Sequence, residues 1–260
     1  VTEGTVFREI GLMSPAGDPD VFLVNMAKFK SHGMGITGAV KNIQGLCAHT
    51  FHTFCRSYDS IRTTSDEKYH RYFHDDFEKS IELTYSKHVA DRISRWDRPV
   101  RDGGIWMEMW VQRILDAHTV IKPDLNIIEG MYAHEGDGLG RGPNGRGADK
   151  MCNVVIFGLD PFRVDIIAHW LAGHEPGNFG LFHIAIERGL SDVLDPHDIP
   201  VYEWKDGKAT LSNLDDFNRT PLLTYYLARD YNRGHEPRYH LVDEEFDYKA
   251  WKERNSVRVL

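Results

Sequence analysis

The sequence predicts an α/β fold, a layered sheet (mixed or mainly parallel) flanked by helices, with a helical and loop insertion and an extended C-terminal tail. Three observations carry that expectation. Short apolar runs rich in β-branched residues recur over residues 20–26, 125–131 and 153–159, the pattern of strands buried on both faces. Longer stretches with helical spacing and clear start and stop signals alternate with them. Glycine-rich segments follow the first two runs, where α/β proteins place ligands.

Along the chain, "DVFLVNM" (20–26) follows the turn signal "PAGDPD" and reads as the first strand. A glycine-rich turn comes next, and a helix is expected to open out of it over residues 36–44. Residues 47–102 are polar, aromatic and histidine-rich with weak periodicity, and read as an insertion of short helices and loops. "WMEMWVQRILDAHTV" (106–120) predicts an amphipathic helix, with Glu108, Gln112 and Asp116 on one face and Trp106, Trp110, Ile114 and Leu115 on another. "LNIIEGM" (125–131) and "NVVIFGL" (153–159) are the second and third strands. "PFRVDIIAHWLAG" predicts a helix with Pro161 in its first turn and Gly173 at its stop. Another helix is expected over 179–188, ending at Gly189, and "IPVYEW" (199–204) reads as a fourth strand. Beyond about residue 217 lies a polar tail studded with aromatics. It cannot form a core alone and is expected to pack on the domain or on a neighbouring subunit, a route to a homo-oligomer. One α/β domain over 1–217 and an extension over 218–260 follow from this reading.

Composition bounds the function. The 260 residues can bury a substantial core, and 41% hydrophobic with 27% charged residues is ordinary for a globular protein. A formal net charge of −8 argues against nucleic acid as the main partner. No apolar run approaches the ~18–20 residues of a membrane span. The chain opens "VTEGTVFREIG", without an initiator Met or an apolar leader, which suggests a processed protein or a fragment. The reading is a soluble protein, cytoplasmic or exported after loss of an N-terminal segment. Three scattered cysteines (Cys47, Cys55 and Cys152) and no C-x-x-C argue against an iron–sulfur cluster ligated by this chain alone.

Two segments concentrate chemistry. "KFKSHGMGITGAVKNIQG" (28–45) carries three lysines, a histidine and four glycines without an acid. Lys28, Lys30 and His32 alternate onto one face if the strand continues, and Lys41 and Asn42 lie in the helix beyond. Ammonium groups beside glycines and a helix start have the parts of an anion site, or else form a solvated basic loop. "HEGDGLGRGPNGRGADK" (134–150) holds six glycines. Gly136 and Gly138 free the backbone to approach a ligand, and Arg141 and Arg146 suit phosphate or carboxylate. A third feature is Asp165 and His169, four apart on an otherwise apolar helix, where a buried carboxylate and imidazole need partners. An Asp–His hydrogen bond is the commoner arrangement, and Asp160 is placed to cap that helix.

In combination these segments resemble the uncharacterised family catalogued as domain of unknown function 362. The resemblance rests on Asn25, Lys28, Lys30, His32, Thr37, Lys41, Asn42 and Gly45, then Glu129-Gly130 with the glycine-rich loop, then Asp160-Pro161 and Asp165, and spans about residues 19–204. It implies company with ferredoxin-type iron–sulfur modules and, in some members, twin-arginine export. It brings no settled activity. The resemblance also implies an α/β portion before the Lys-Lys-His strand, so the chain is expected to start inside the domain. Ala27 stands where proline is usual in the family.

The functional expectation is an enzyme or cofactor-dependent protein with an anionic small molecule as ligand. Lys28, Lys30, His32 and Lys41 are its catalytic candidates. Asn42, Gly136, Gly138, Arg141 and Arg146 are candidates for cofactor binding. Glu129, Glu135, Asp160 and Asp165 are candidates for a divalent metal or for fixing the lysines. The cofactor, metal or anionic organic, is open. The alternative is a non-enzymatic carrier or assembly protein serving an iron–sulfur partner.

Overall fold

The computed structural model describes residues 4–32, 35–48, 71–93, 104–135, 148–224 and 244–255. Its main sheet has four strands in the order β2-β1-β3-β4: β1 Val24–His32, β2 Gly35–Thr37, β3 Leu125–His134 and β4 Asp149–Gly158. β1 and β3 run parallel, with Lys28 opposite Glu129 and Lys30 opposite His134. The other two pairs are antiparallel, so the sheet is mixed. Parallel neighbours need a long crossover. Here it passes through α1 (Ala39–Asn42), α2 (Phe77–Ala90) and α3 (Gly104–Val120).

One sheet face is covered. Odd-numbered residues of β1 turn inward, and Ala27 and Phe29 pack with Ile128 of β3 against α1 and against Val164 and Ala168 of α4 (Pro161–Leu171). Behind α4 lies a larger core, in which Trp110, Ile114 and Leu115 of α3 meet Ile166, Ile167 and Trp170, together with Phe182 of α5 (Gly180–Glu187). The layers are thus sheet, then α1 and α4, then α3 and α5. The opposite sheet face exposes Val24, Met26, Met151, Val155 and Phe157. Apolar residues on that face too are why these strands read as unbroken apolar runs.

Four elements differ from expectation for identifiable reasons. Residues 36 and 37 extend a hairpin rather than start a helix. Gly35 takes φ +88, the β-branched pair Ile36-Thr37 aligns with Ser31 and Lys30, and the helix is only Ala39–Asn42 before a 3-10 turn, Ile43–Leu46. The strand expected at 199–204 is β5 (Val201–Lys205), which among the described residues pairs with β6 (Lys208–Ser212) alone, in a separate two-stranded sheet. Asp206-Gly207, both at positive φ, makes the tight turn that closes this hairpin. The polar row of α3 is not solvent-facing, since Glu108, Gln112 and Asp116 are 0%, 3% and 0% exposed. Within the stretch expected as short helices, α2 is a single 14-residue helix.

The C-terminal residues 244–255 include α6 (Tyr248–Asn255), and Phe246, Tyr248 and Trp251 pack onto the large core. No described helix is long and apolar enough to cross a membrane.

Candidate functional site

The end of β1 separates its lysines. Lys28 lies on the open face, and its Nζ meets Glu129 Oε2 on the neighbouring strand at 2.5 Å. Glu129 Oε1 also accepts from the Met131 amide at 2.7 Å. The hydrogen bond from Lys28 and that amide hold the Glu129 carboxyl below its ordinary range. Both groups are more than a third exposed, so the pair contributes about 0–1 kcal/mol. Lys30 is half-buried and has no ion pair or side-chain hydrogen bond among the described residues. Burial, and then the charge of Lys28, lower its pKa from the ordinary lysine value.

Lys30 opens instead into a cavity of about 290 Å³. Two further cations line it: Lys41 from α1 and Arg113 from α3. Thr37, Asn42 and Gln44 add polar groups, Gly38 and Gly45 leave backbone accessible, and Phe7, Cys47 and Ala117 form an apolar wall. No aspartate or glutamate is among the described lining residues. The Lys41 ammonium sits over the Trp110 ring, 5.5 Å from its centroid, a cation–π contact that favours the charged form. Burial pushes the Cys47 thiol up to about 11, so it is a neutral wall group rather than a thiolate.

The turn carrying this cavity is held from below by α4. Asp165 Oδ1 accepts from the Ala39 amide at 2.6 Å and Oδ2 from the Val40 amide at 3.0 Å, capping α1. His169 Nε2 accepts from the Ile36 amide at 3.2 Å, while its Nδ1 meets the Asp165 carbonyl at 2.7 Å. The expected Asp–His side-chain pair is therefore replaced by two anchors on the β2–α1 turn. Burial raises the Asp165 carboxyl to about 7 against those amide bonds, and lowers the His169 imidazole to about 3. Gly38 is required at this point, because a Cβ there would collide with Asp165 Oδ1 and lie 2.6 Å from Ile128 Cδ1. Asn42 donates to Asn25 Oδ1 at 2.8 Å and to the Met26 carbonyl at 3.0 Å. Asn25 in turn donates to the Ala39 carbonyl and to Asn126 Oδ1 on β3. An asparagine chain thus fixes α1 to two strands, and Asn42 reaches the cavity as part of it.

The structure brings Lys30, Lys41 and Asn42 together and leaves Lys28 with Glu129 outside the described lining. The side chain of His32, and all of Gly136, Gly138, Arg141 and Arg146, lie outside the described residues. The four candidate metal carboxylates do not converge. Glu129 holds Lys28, and Glu135 accepts from the Leu223 amide at 2.9 Å and pairs with Lys150 at 2.8 Å. Asp160 caps α4 through the Phe162 and Arg163 amides at 2.7 and 2.9 Å, and Asp165 caps α1. Among the described residues no three His, Cys, Asp or Glu side chains are arranged to hold a metal.

Arg113 is a site residue that the motifs of the sequence do not mark. It is 2% exposed and falls four residues from both Met109 and Ala117, which are buried in one small core cluster. An arginine in the middle of an apolar i, i+4 row was the available signal.

A family model described as Domain of unknown function (DUF362) matches residues 1–169, about two thirds of the chain, and the chain belongs to that family. No curated protein and no solved structure matches it.

Proposed function

For this member of the family we propose an enzyme that acts on a small anionic molecule held in the cavity between the end of β1, the turn into α1 and the middle of α3. The observation that carries the reading is Lys30, half-buried without a counter-ion among the described residues and lining the same cavity as Lys41 and Arg113. A partly buried ammonium without a protein anion is unfavourable, and Lys30 is one among the described residues. An anion there offsets that cost and gains charge-assisted hydrogen bonds, each contributing about 1.5–3 kcal/mol. A volume of about 290 Å³ suits a metabolite rather than a polymer.

In this reading Arg113 supplies a planar fork for carboxylate or phosphate, and Lys41 a fixed positive charge. His32, the last residue of β1, is the acid–base candidate, because an imidazole near pKa ~6.5 exchanges protons at neutrality. Lys28, committed to Glu129, sets the local charge without touching the ligand. Lys30 stands opposite His134, where the glycine-rich segment begins, which supports assigning Arg141 and Arg146 to the same anion. No step is assigned to a metal, since the candidate carboxylates are dispersed over separate protein partners.

Calorimetric titration at low ionic strength with inorganic phosphate and a panel of mono-, di- and tricarboxylates tests the reading. Saturable binding by at least one of these anions is expected, weakened by Lys30→Gln and by added salt. Unsaturable heats with every anion, or binding by Lys30→Gln at wild-type strength, would overturn it.

A further inference from the structure

We propose that Lys30 is a nucleophilic amine that forms a Schiff base with a small aldehyde or ketone carrying a carboxylate or phosphate, whose anionic group is held by Lys41 and Arg113. The inference rests on the anion-site reading and adds the reacting group and the substrate class.

The two cavity lysines sit in opposed environments. Lys41 lies against the Trp110 ring face, which stabilises an ammonium. Lys30 has no aromatic face, carboxylate or hydrogen-bond acceptor among the described residues. Glu129, the carboxylate on the adjacent strand, is taken by Lys28. Lys28 is the charge that acts on Lys30 along their shared strand, and Lys41 from α1 and Arg113 from α3 line the same cavity together with the neutral Thr37, Asn42 and Gln44. Partial burial and like charge both favour the neutral amine, the form that attacks carbonyl carbon. Of the two cavity lysines, Lys41 is the one held as a cation by its ring contact, and Lys30 is the one whose surroundings favour loss of the proton.

The step balances without an outside oxidant or reductant. The Nζ lone pair forms a C–N bond to the carbonyl carbon as the C=O π electrons move onto oxygen. The carbinolamine takes up one proton and expels that oxygen as water, leaving a protonated imine on Lys30. This cation is an electron sink for cleaving or forming a bond at the neighbouring carbon, and Arg113 and Lys41 keep the substrate's anionic group away from it.

Borohydride trapping tests the assignment. The protein is incubated separately with pyruvate and with dihydroxyacetone phosphate, reduced with sodium borohydride, digested and mapped by peptide mass. A reduced adduct on Lys30 is expected in at least one arm, and the arm that gives it identifies the anionic group. Lys30→Arg, whose guanidinium cannot form the imine, should lose the adduct. An adduct only on Lys41 or on exposed lysines, or phosphate binding with no adduct in either arm, would overturn the amine role and leave the anion site standing. Absence of both adduct and phosphate binding would remove the two together. The wild-type map decides the question even if the variant does not fold.

Discussion

Two lysines two residues apart on β1 face different physics, and their substitutions should separate. Lys28→Gln removes an exposed ion pair and is expected to change anion affinity by well under tenfold, since such pairs contribute about 0–1 kcal/mol. Lys41→Gln removes a cation from the cavity lining and should cost roughly 10–100-fold in calorimetric affinity, the equivalent of about 1.5–3 kcal/mol. Asp165 acts at the same scale from beneath. Asp165→Ala strands the amides of Ala39 and Val40, and unfolding titrations should show a loss of about 2–4 kcal/mol. That Asp165 and His169 need partners was legible from a carboxylate and an imidazole four apart on an apolar helix. Which partners was not, because the amides they take lie more than a hundred residues earlier in the chain. Lys30 and Lys41 were legible as a basic pair, whereas the lack of a counter-ion at Lys30 is a tertiary fact.

Helices α2, α3 and α5 are joined by a buried polar cluster that shows why an amphipathic pattern can mislead. His88 of α2 bridges Glu108 of α3 at 2.7 Å and Glu187 of α5 at 2.9 Å, and Gln112 completes Glu108 at 2.9 Å. One turn on, Asp116 accepts from the amides of Thr5, Val6 and Phe7 and pairs with Arg188 at 2.8 Å. A helix pattern of polar residues four apart fits solvent or a polar interior equally, and spacing cannot choose between them. Burial alone would lower the His88 imidazole, but the two carboxylates raise it to about 9. A raised folded-state value means its stabilisation is complete below about 6.5 and fades as pH climbs through about 9. The hydrogen bond from His88 holds Glu187 down at about 2, so that contribution is present above about 4.5 and is lost as pH falls toward 2. Urea titrations from pH 6.5 to 9 should therefore show wild type losing stability relative to His88→Gln. At the β2–α1 turn, Gly38→Ala should destabilise by about 1–3 kcal/mol and weaken anion binding, because the added methyl drives into Asp165 and Ile128.

Across the whole molecule the sheet has a covered face and an open one. Ile128, 0% exposed on the covered face, should cost about 2–5 kcal/mol as Ile128→Ala. Phe157, 54% exposed on the open face, should change stability by no more than about 0.5 kcal/mol as Phe157→Ser. A cost for Phe157→Ser as large as that for Ile128→Ala would mean the open face is covered in solution. The α/β class and three strands of the sheet were legible, because apolar runs and caps are local signals. The edge strand β2 was not, because a three-residue strand exists only through its pairing with β1. Arg113 reaches the site across the crossover from β1 to β3, a juxtaposition set by topology rather than by spacing. The net charge of −8 is a further whole-molecule property, and the cationic cavity is a local exception to it.

A crystal structure of the protein grown with selenate, with anomalous data collected at the selenium edge, tests the central claim most directly. The account predicts the strongest anomalous peak in the cavity, within hydrogen-bond distance of Lys30, Lys41 or Arg113. Peaks only at exposed surface side chains, or a Lys30 ammonium paired with a protein carboxylate, would contradict it.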